Sequence, residues 1–262
     1  LLKRRMLAVA VAVAAAAAVL IPGAASASPP HIGSYVALGD SYAAGGGAPP
    51  YTDPTCLRSN NSYPALLAAA KHVKSFQFNA CSVAATQDVL TSQLTGLNRN
   101  TDLVTITIGG NDLNFTPGIG ACMQGTDADC QAIVATAEKV TKTELPGRLA
   151  TVYRTVRARA PHASVVVAGY ARFFETTAEC PAVPPASLVK RRAINGAVDT
   201  LDRTIALAAV RAGFRFADVR PEFAGHGLCG PNPWLTGLTD PTPFHPTATG
   251  YRAGYLPAVL FR

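Results

Sequence analysis

The sequence predicts an α/β domain with a central parallel sheet and helices on both of its faces. Three observations lead there. Five short apolar stretches, residues 34–38, 75–80, 102–108, 163–168 and 214–219, read as strands. Longer stretches with apolar residues three and four apart separate them and read as helices. Strand and helix alternate along the chain, which is the pattern of parallel sheets joined by helical crossovers.

The chain opens with Lys3, Arg4 and Arg5, then an apolar run over residues 6–21, then Pro22-Gly23 and Ala25-Ser26-Ala27. A charged start, an apolar middle and small residues before a cut describe a secretory signal peptide, expected over residues 1–27 with cleavage after Ala27. A membrane anchor is the alternative, but the run is short of the ~20 apolar residues of a typical span. One domain over residues 28–262 is expected, outside the cell and with no stable membrane anchor. The net charge of +7 reflects 23 basic against 16 acidic residues. Removing Lys3, Arg4 and Arg5 leaves 20 against 16, or +4, with no dense basic run. Nucleic acid is not indicated as a partner.

Each element has its own reason. Residues 34–38 form the first strand, and a Gly/Pro-rich loop over 45–54 is expected near the site. Leu66 and Leu67 among alanines give a helix over 62–72. Phe76 and Phe78 alternate with Gln77 and Asn79 in the second strand. A turn over 81–86 precedes a helix over 88–97. The third strand is rich in β-branched residues and stops at Gly109-Gly110-Asn111-Asp112. Residues 117–129 read as a loop with two cysteines, and 130–143 as a helix. Leu145, Leu149, Val152 and Val156 carry the next helix to residue 159, with Pro146 marking its start. The fourth strand ends at Gly169-Tyr170. A loop over 175–185, an amphipathic helix over 187–212 and the fifth strand follow. Residues 221–244, Gly- and Pro-rich and holding Trp234, form a second site-lining loop, and 247–260 a final helix.

The six cysteines are an even count in a chain read as exported, which argues for three disulfides. Of fifteen possible pairings, sequence order is favoured because each bridge then closes a local loop: Cys56–Cys81, Cys122–Cys130 and Cys180–Cys229. No Cys-x-x-Cys or Cys/His cluster points to a metal.

The chemistry gathers after the strands. Ser41 follows the first strand, Ser82-Val83 the second and Asn111 the third; in a parallel sheet these ends share one edge. A serine needs a base before it can attack. Of the five histidines, His245 stands out, in Phe244-His245-Pro246 ahead of a helix start, and an imidazole can take that proton near neutral pH. The Asn111 amide and the backbone N–H groups of Ser41 and Val83 could form an oxyanion hole. Phe115, Trp234, Leu235 and Phe244 are apolar residues expected near the site and suited to an acyl chain.

Gly39-Asp40-Ser41, Gly109-Gly110-Asn111-Asp112 and His245-Pro246, in that order, resemble the GDSL or SGNH hydrolase family. With the signal peptide, the six cysteines and Gly169-Tyr170, the chain is most similar to the secreted actinobacterial lipases and esterases of that family. The resemblance implies a flavodoxin-like three-layer α/β/α sandwich with a five-stranded sheet and no cofactor. It implies Ser41 as nucleophile, His245 as base and Asn111 as oxyanion donor.

Two positions depart from the family. Its second block usually has a glycine where this chain has Val83; the backbone N–H survives, while the side chain could narrow the pocket or shift the turn. The family usually has Asp three residues before the histidine, where this chain has Thr242. Either Asp240 orients the ring from a displaced position, or a backbone carbonyl near Thr242 or Pro243 accepts the Nδ1 proton and leaves a Ser–His dyad. The dyad is favoured.

The expected function is hydrolysis of carboxylic esters, as lipase, esterase or phospholipase, by a monomer acting on an ester or lipid. A polysaccharide or small-ester deacetylase of the same family is the alternative enzyme. A secreted binding module that kept the fold without the activity is the alternative from another class.

Overall fold

The computed structural model describes residues 32–177, 179–180 and 186–260. Residues 1–27, read above as a signal peptide, lie outside the described residues.

Strand β1 (Ser34–Gly39) is buried over five of its six residues. It runs straight into α1 (Ser41–Ala44), a single helical turn capped by the Asp40 carboxylate, which accepts the Tyr42 N–H. A small antiparallel hairpin follows, β2 (Tyr51–Asp53) and β3 (Arg58–Ser59), at the end of a stretch expected to be a loop. Its strands are only two and three residues long, too short for an alternating pattern to show. Helix α2 (Tyr63–Ala70) starts at the Ser62 cap with Pro64 in its first turn. Then come β4 (Ser75–Phe78), α3 (Thr86–Ser92) and the fully buried β5 (Leu103–Thr107).

A short 3-10 turn, Asn111–Leu113, leads to α4 (Phe115–Gln124). This helix corrects the loop expected over 117–129. Buried Ile119, Cys122 and Met123 sit three and four apart on one face, but Pro117, Gly118 and Gly120 hide that periodicity in the sequence. Helix α5 (Asp127–Thr143) opens with a capping box, Thr126 with Asp129, three residues earlier than the sequence suggested. Helix α6 (Leu145–Arg159) starts beside Pro146. Strand β6 (Ser164–Ala168), the long α7 (Leu188–Arg211), β7 (Arg215–Ala217) and α8 (Leu256–Leu260) complete the order. The last helix is preceded by a π-helical segment, Gly250–Tyr255, in place of the regular helix expected from 247. That segment turns Tyr251 and Tyr255 inward, and both are fully buried.

The sheet order is β4-β1-β5-β6-β7, and every pairing is parallel. Counting only sheet strands, this is the 2-1-3-4-5 order of flavodoxin-like folds. The crossover direction reverses beside β1, which opens a crevice at the carboxyl edge between β1 and β5. Helices flank the sheet as two groups: α3, α4, α5, α6 and α7 pack on one another, and α2 packs on α8.

Bridges join Cys56 to Cys81, Cys122 to Cys130 and Cys180 to Cys229. The first ties the hairpin to the turn after β4, where the Ser82 N–H also donates to the Cys56 carbonyl. The second ties α4 to α5. Among the described residues no helix is long and apolar enough to cross a membrane.

Candidate active site

Gly39 ends β1 with φ +125°, and a Cβ there would stand 2.2 Å from the Thr107 carbonyl oxygen. Only glycine fits that approach, and it lets the chain turn so that Ser41 projects at the sheet edge. Opposite it, the segment 234–247 folds back on itself. Thr247 N–H donates to the Trp234 carbonyl, Phe244 N–H to Thr236 and Thr236 N–H to His245. This places His245 Nε2 2.6 Å from Ser41 Oγ. The two residues are 204 positions apart in sequence.

The other ring nitrogen, Nδ1, lies 2.9 Å from the Pro243 carbonyl oxygen. A carbonyl only accepts, so Nδ1 carries the proton and Nε2 is free to accept from the serine hydroxyl. Asp240 is elsewhere: it is exposed, and its carboxylate accepts the Gly237 N–H at 2.6 Å. Burial holds the His245 pKa below its ordinary value of 6.5, against the opposing pull of the Pro243 and Thr242 carbonyls.

The imidazole is fixed from several sides. Gly46 and Gly47 lie against it, and a Cβ on Gly46 would stand 2.7 Å from His245 Cδ2. The Tyr42 ring sits 5.0 Å away, centroid to centroid. Tyr42 also donates its hydroxyl to the Phe244 carbonyl. Phe244 has φ +64°, a conformation that costs a bulky side chain roughly 1–2 kcal/mol. It persists because hydrogen bonds to Thr236 and Tyr42 and the stacked Phe173 ring over-determine it.

Beneath the serine lies a buried acidic network. Tyr170 Oη donates to Asp40 Oδ2, and the Tyr170 N–H donates to Asp202 Oδ1 at 2.9 Å. Burial pushes the Asp40 carboxyl up to about 7, although Tyr170 and the Tyr42 and Ala43 N–H groups pull the other way. Asp202, also raised chiefly by burial, reaches about 8 despite Arg220 Nε at 3.4 Å.

Asn111 Nδ2 donates to the Ala84 carbonyl at 2.9 Å, so the block after β5 grips the block after β4. Ser41, His245 and Asn111 line one cavity of 30 Å³ together with Phe115, Phe173 and Phe244. Val83 and Asp240 are not in its lining. Val83 has φ +58°, which accounts for the glycine usual at this position in the resembled family. Its side chain is 79% exposed, so it does not narrow the pocket. Trp234 and Leu235, expected near the site, also lie off the cavity. Trp234 stacks on His226, and Leu235 is buried in a bridge to Pro246.

Tyr42, Tyr170 and Thr236 were not singled out by the sequence. Each acts through a contact to a distant segment, and nothing local announces it. Gly45-Gly46-Gly47 is a readable signal whose meaning, room for an imidazole, needs the loop it faces.

A parallel sheet with a serine and an imidazole joined at its carboxyl edge defines an α/β hydrolase-type site. The chain belongs to the GDSL-like lipase/acylhydrolase family, which matches residues 37–253. A lipase from Streptomyces rimosus is 43% identical over 98% of both chains. The crystal structure of phospholipase A1 from Streptomyces albidoflavus superposes with a TM-score of 0.83 at 44% identity, covering 87% of this chain and 98% of that one. That of an extracellular lipase from Streptomyces rimosus gives 0.83 at 46%, with the same coverage.

Proposed function

We propose that this carboxylic ester hydrolase works through an acyl-enzyme on Ser41, with His245 as general base and no carboxylate behind it. The observation that carries the reading is the line Ser41 Oγ, His245 Nε2, His245 Nδ1, Pro243 carbonyl, at 2.6 and 2.9 Å. Nε2 takes the hydroxyl proton as Oγ attacks the ester carbon, then returns it to the departing alcohol. A water follows the same route to release the acid. The Pro243 carbonyl fixes the tautomer and the ring's direction. A neutral acceptor stabilises the imidazolium less than a carboxylate does, and low solvent access around the ring strengthens what remains.

Asn111 commits one N–H to Ala84 and has a second for the oxyanion, and the Ser41 N–H joins it. Val83 N–H is the third candidate donor. The enzyme acts outside the cell as a monomer, on ester or lipid substrates. The relatives' names, lipase and phospholipase A1, favour lipids over sugar esters within that class. The aromatic lining of the cavity agrees with them.

The test is hydrolysis of p-nitrophenyl esters. Ser41→Ala is expected to lose about 10⁴-fold or more in kcat, the scale of removing a nucleophile. Asp240→Ala is expected to stay within about tenfold, 1.4 kcal/mol of barrier. Equal rates in wild type and Ser41→Ala would leave a binding module in place of the enzyme. A thousandfold loss in Asp240→Ala would return the carboxylate to the mechanism.

A further inference from the structure

The cavity around Ser41 and His245 measures 30 Å³, room for the reacting atoms and little more. A second cavity of 380 Å³ backs onto the same wall, and Phe115 and Ile119 line both. Asp112, Leu113 and Asn114, the three residues after Asn111, form one side of it. The rest is walled by α4, α5 and α7, with Ile133, Val134, Val140 and Ile194 the largest contributors. The Asp112 carboxylate is turned out of the way. It accepts from Thr86 N and Oγ1 at 3.0 and 2.6 Å and pairs with Arg148.

We propose that this second cavity holds the acyl chain of the ester, a reading that rests on the Ser41–His245 assignment. Its volume lies in the range of about 300–1,000 Å³ found for small-molecule sites, and an apolar lining is what such sites use to bury a hydrocarbon. Gly118 supports it independently. This residue lies within α4, where glycine is unfavourable, and it has no positive φ to justify it. A Cβ there would meet only Ile133 Cγ2, at 3.7 Å. The missing side chain is part of the cavity's space. The carbonyl carbon sits at Ser41, and the chain passes Phe115 and Ile119 into the space between the helices. Those two residues set how the chain enters, and Gly118 and Val134 set how much of it fits.

The experiment compares p-nitrophenyl acetate, butyrate, octanoate and decanoate. In the wild type kcat/KM is expected to rise about fourfold per methylene until the cavity is full, then level off. Gly118→Phe, whose ring fills the space from α4, is expected to keep acetate within about threefold and to lose at least tenfold on decanoate. Val134→Phe does the same from α5. Labelling of the wild type by long- and short-chain alkyl phosphonates reads the preference without any variant, and the long chain is expected to react faster. Equal labelling rates, or unchanged decanoate-to-acetate ratios in both folded variants, would overturn the proposal. Loss of the Ser41 dependence of acetate hydrolysis would instead overturn the dyad, so the two failures are distinguishable.

Discussion

His245 carries the pH dependence of this site. Its neighbours are a backbone carbonyl, a tyrosine ring and two glycines, and none of them supplies a negative charge at contact distance. Burial therefore wins, and the pKa falls below 6.5. The unprotonated base persists into mildly acidic solution. The rising limb of log kcat/KM against pH, which reports the free enzyme, is expected to have its midpoint below 6.5. A midpoint at or above that value would mean that the essential base sits in some other environment. A carboxylate in contact with Nδ1 would have raised the pKa instead. The profile thus tests the Pro243 contact as well as the histidine.

At the scale of the element, the loop 234–247 does for this site what an aspartate does in a triad. Its hub is Thr236. The hydroxyl accepts the His245 N–H at 3.0 Å and donates to the Thr242 carbonyl. It thereby fixes the peptide on either side of Pro243. Thr236→Val keeps the shape and removes both bonds. It is expected to lower kcat by about tenfold or more with little change in KM, and to move the acidic limb. Thr236→Ser is expected to recover most of the loss. If the valine variant keeps wild-type kcat and pH profile, Thr236 is merely structural.

Much of this scale was legible beforehand. The strands were, because a buried strand of five or six residues shows itself as an unbroken apolar run. Ser41, Asn111 and His245 were, because small residues and prolines frame them at element ends. Helix α4 was not, since its glycines serve the neighbouring cavity rather than the helix. Nor was the choice between Asp240 and a carbonyl. Two prolines stiffen that stretch, but which oxygen faces Nδ1 depends on the path of the backbone, including a left-handed Phe244 that no sequence pattern reports.

At the scale of the whole molecule, two buried carboxyl groups set how stability responds to pH. Asp202 is fully buried and bonds the Tyr170 N–H with only one oxygen. An aspartate in the unfolded chain ionises near 3.8, whereas in the fold Asp202 holds its proton to about 8. Between those values the native state binds a proton that the unfolded state has lost, so stability falls as pH rises through that window. Asp40, raised to about 7, acts in the same direction. His245 acts oppositely, since its lowered pKa costs native stability on acidification below about 6.5. Asp202→Asn keeps an acceptor for Tyr170 and never ionises, and Arg220 retains Asp218 and Asp199. Its melting temperature relative to wild type is expected to rise by at least about 4 °C between pH 4 and pH 9. A constant difference across that range would show that Asp202 is already ionised in the native protein.

The glycines pressed against the His245 ring have a kinetic consequence. With no space beside the imidazole and its far nitrogen tethered, the ring cannot swing aside between the two halves of a turnover. The departing alcohol and the incoming water must then use one doorway in succession. An added alcohol that lingers there will intercept the acyl group, so transesterification should compete with hydrolysis through the same gate.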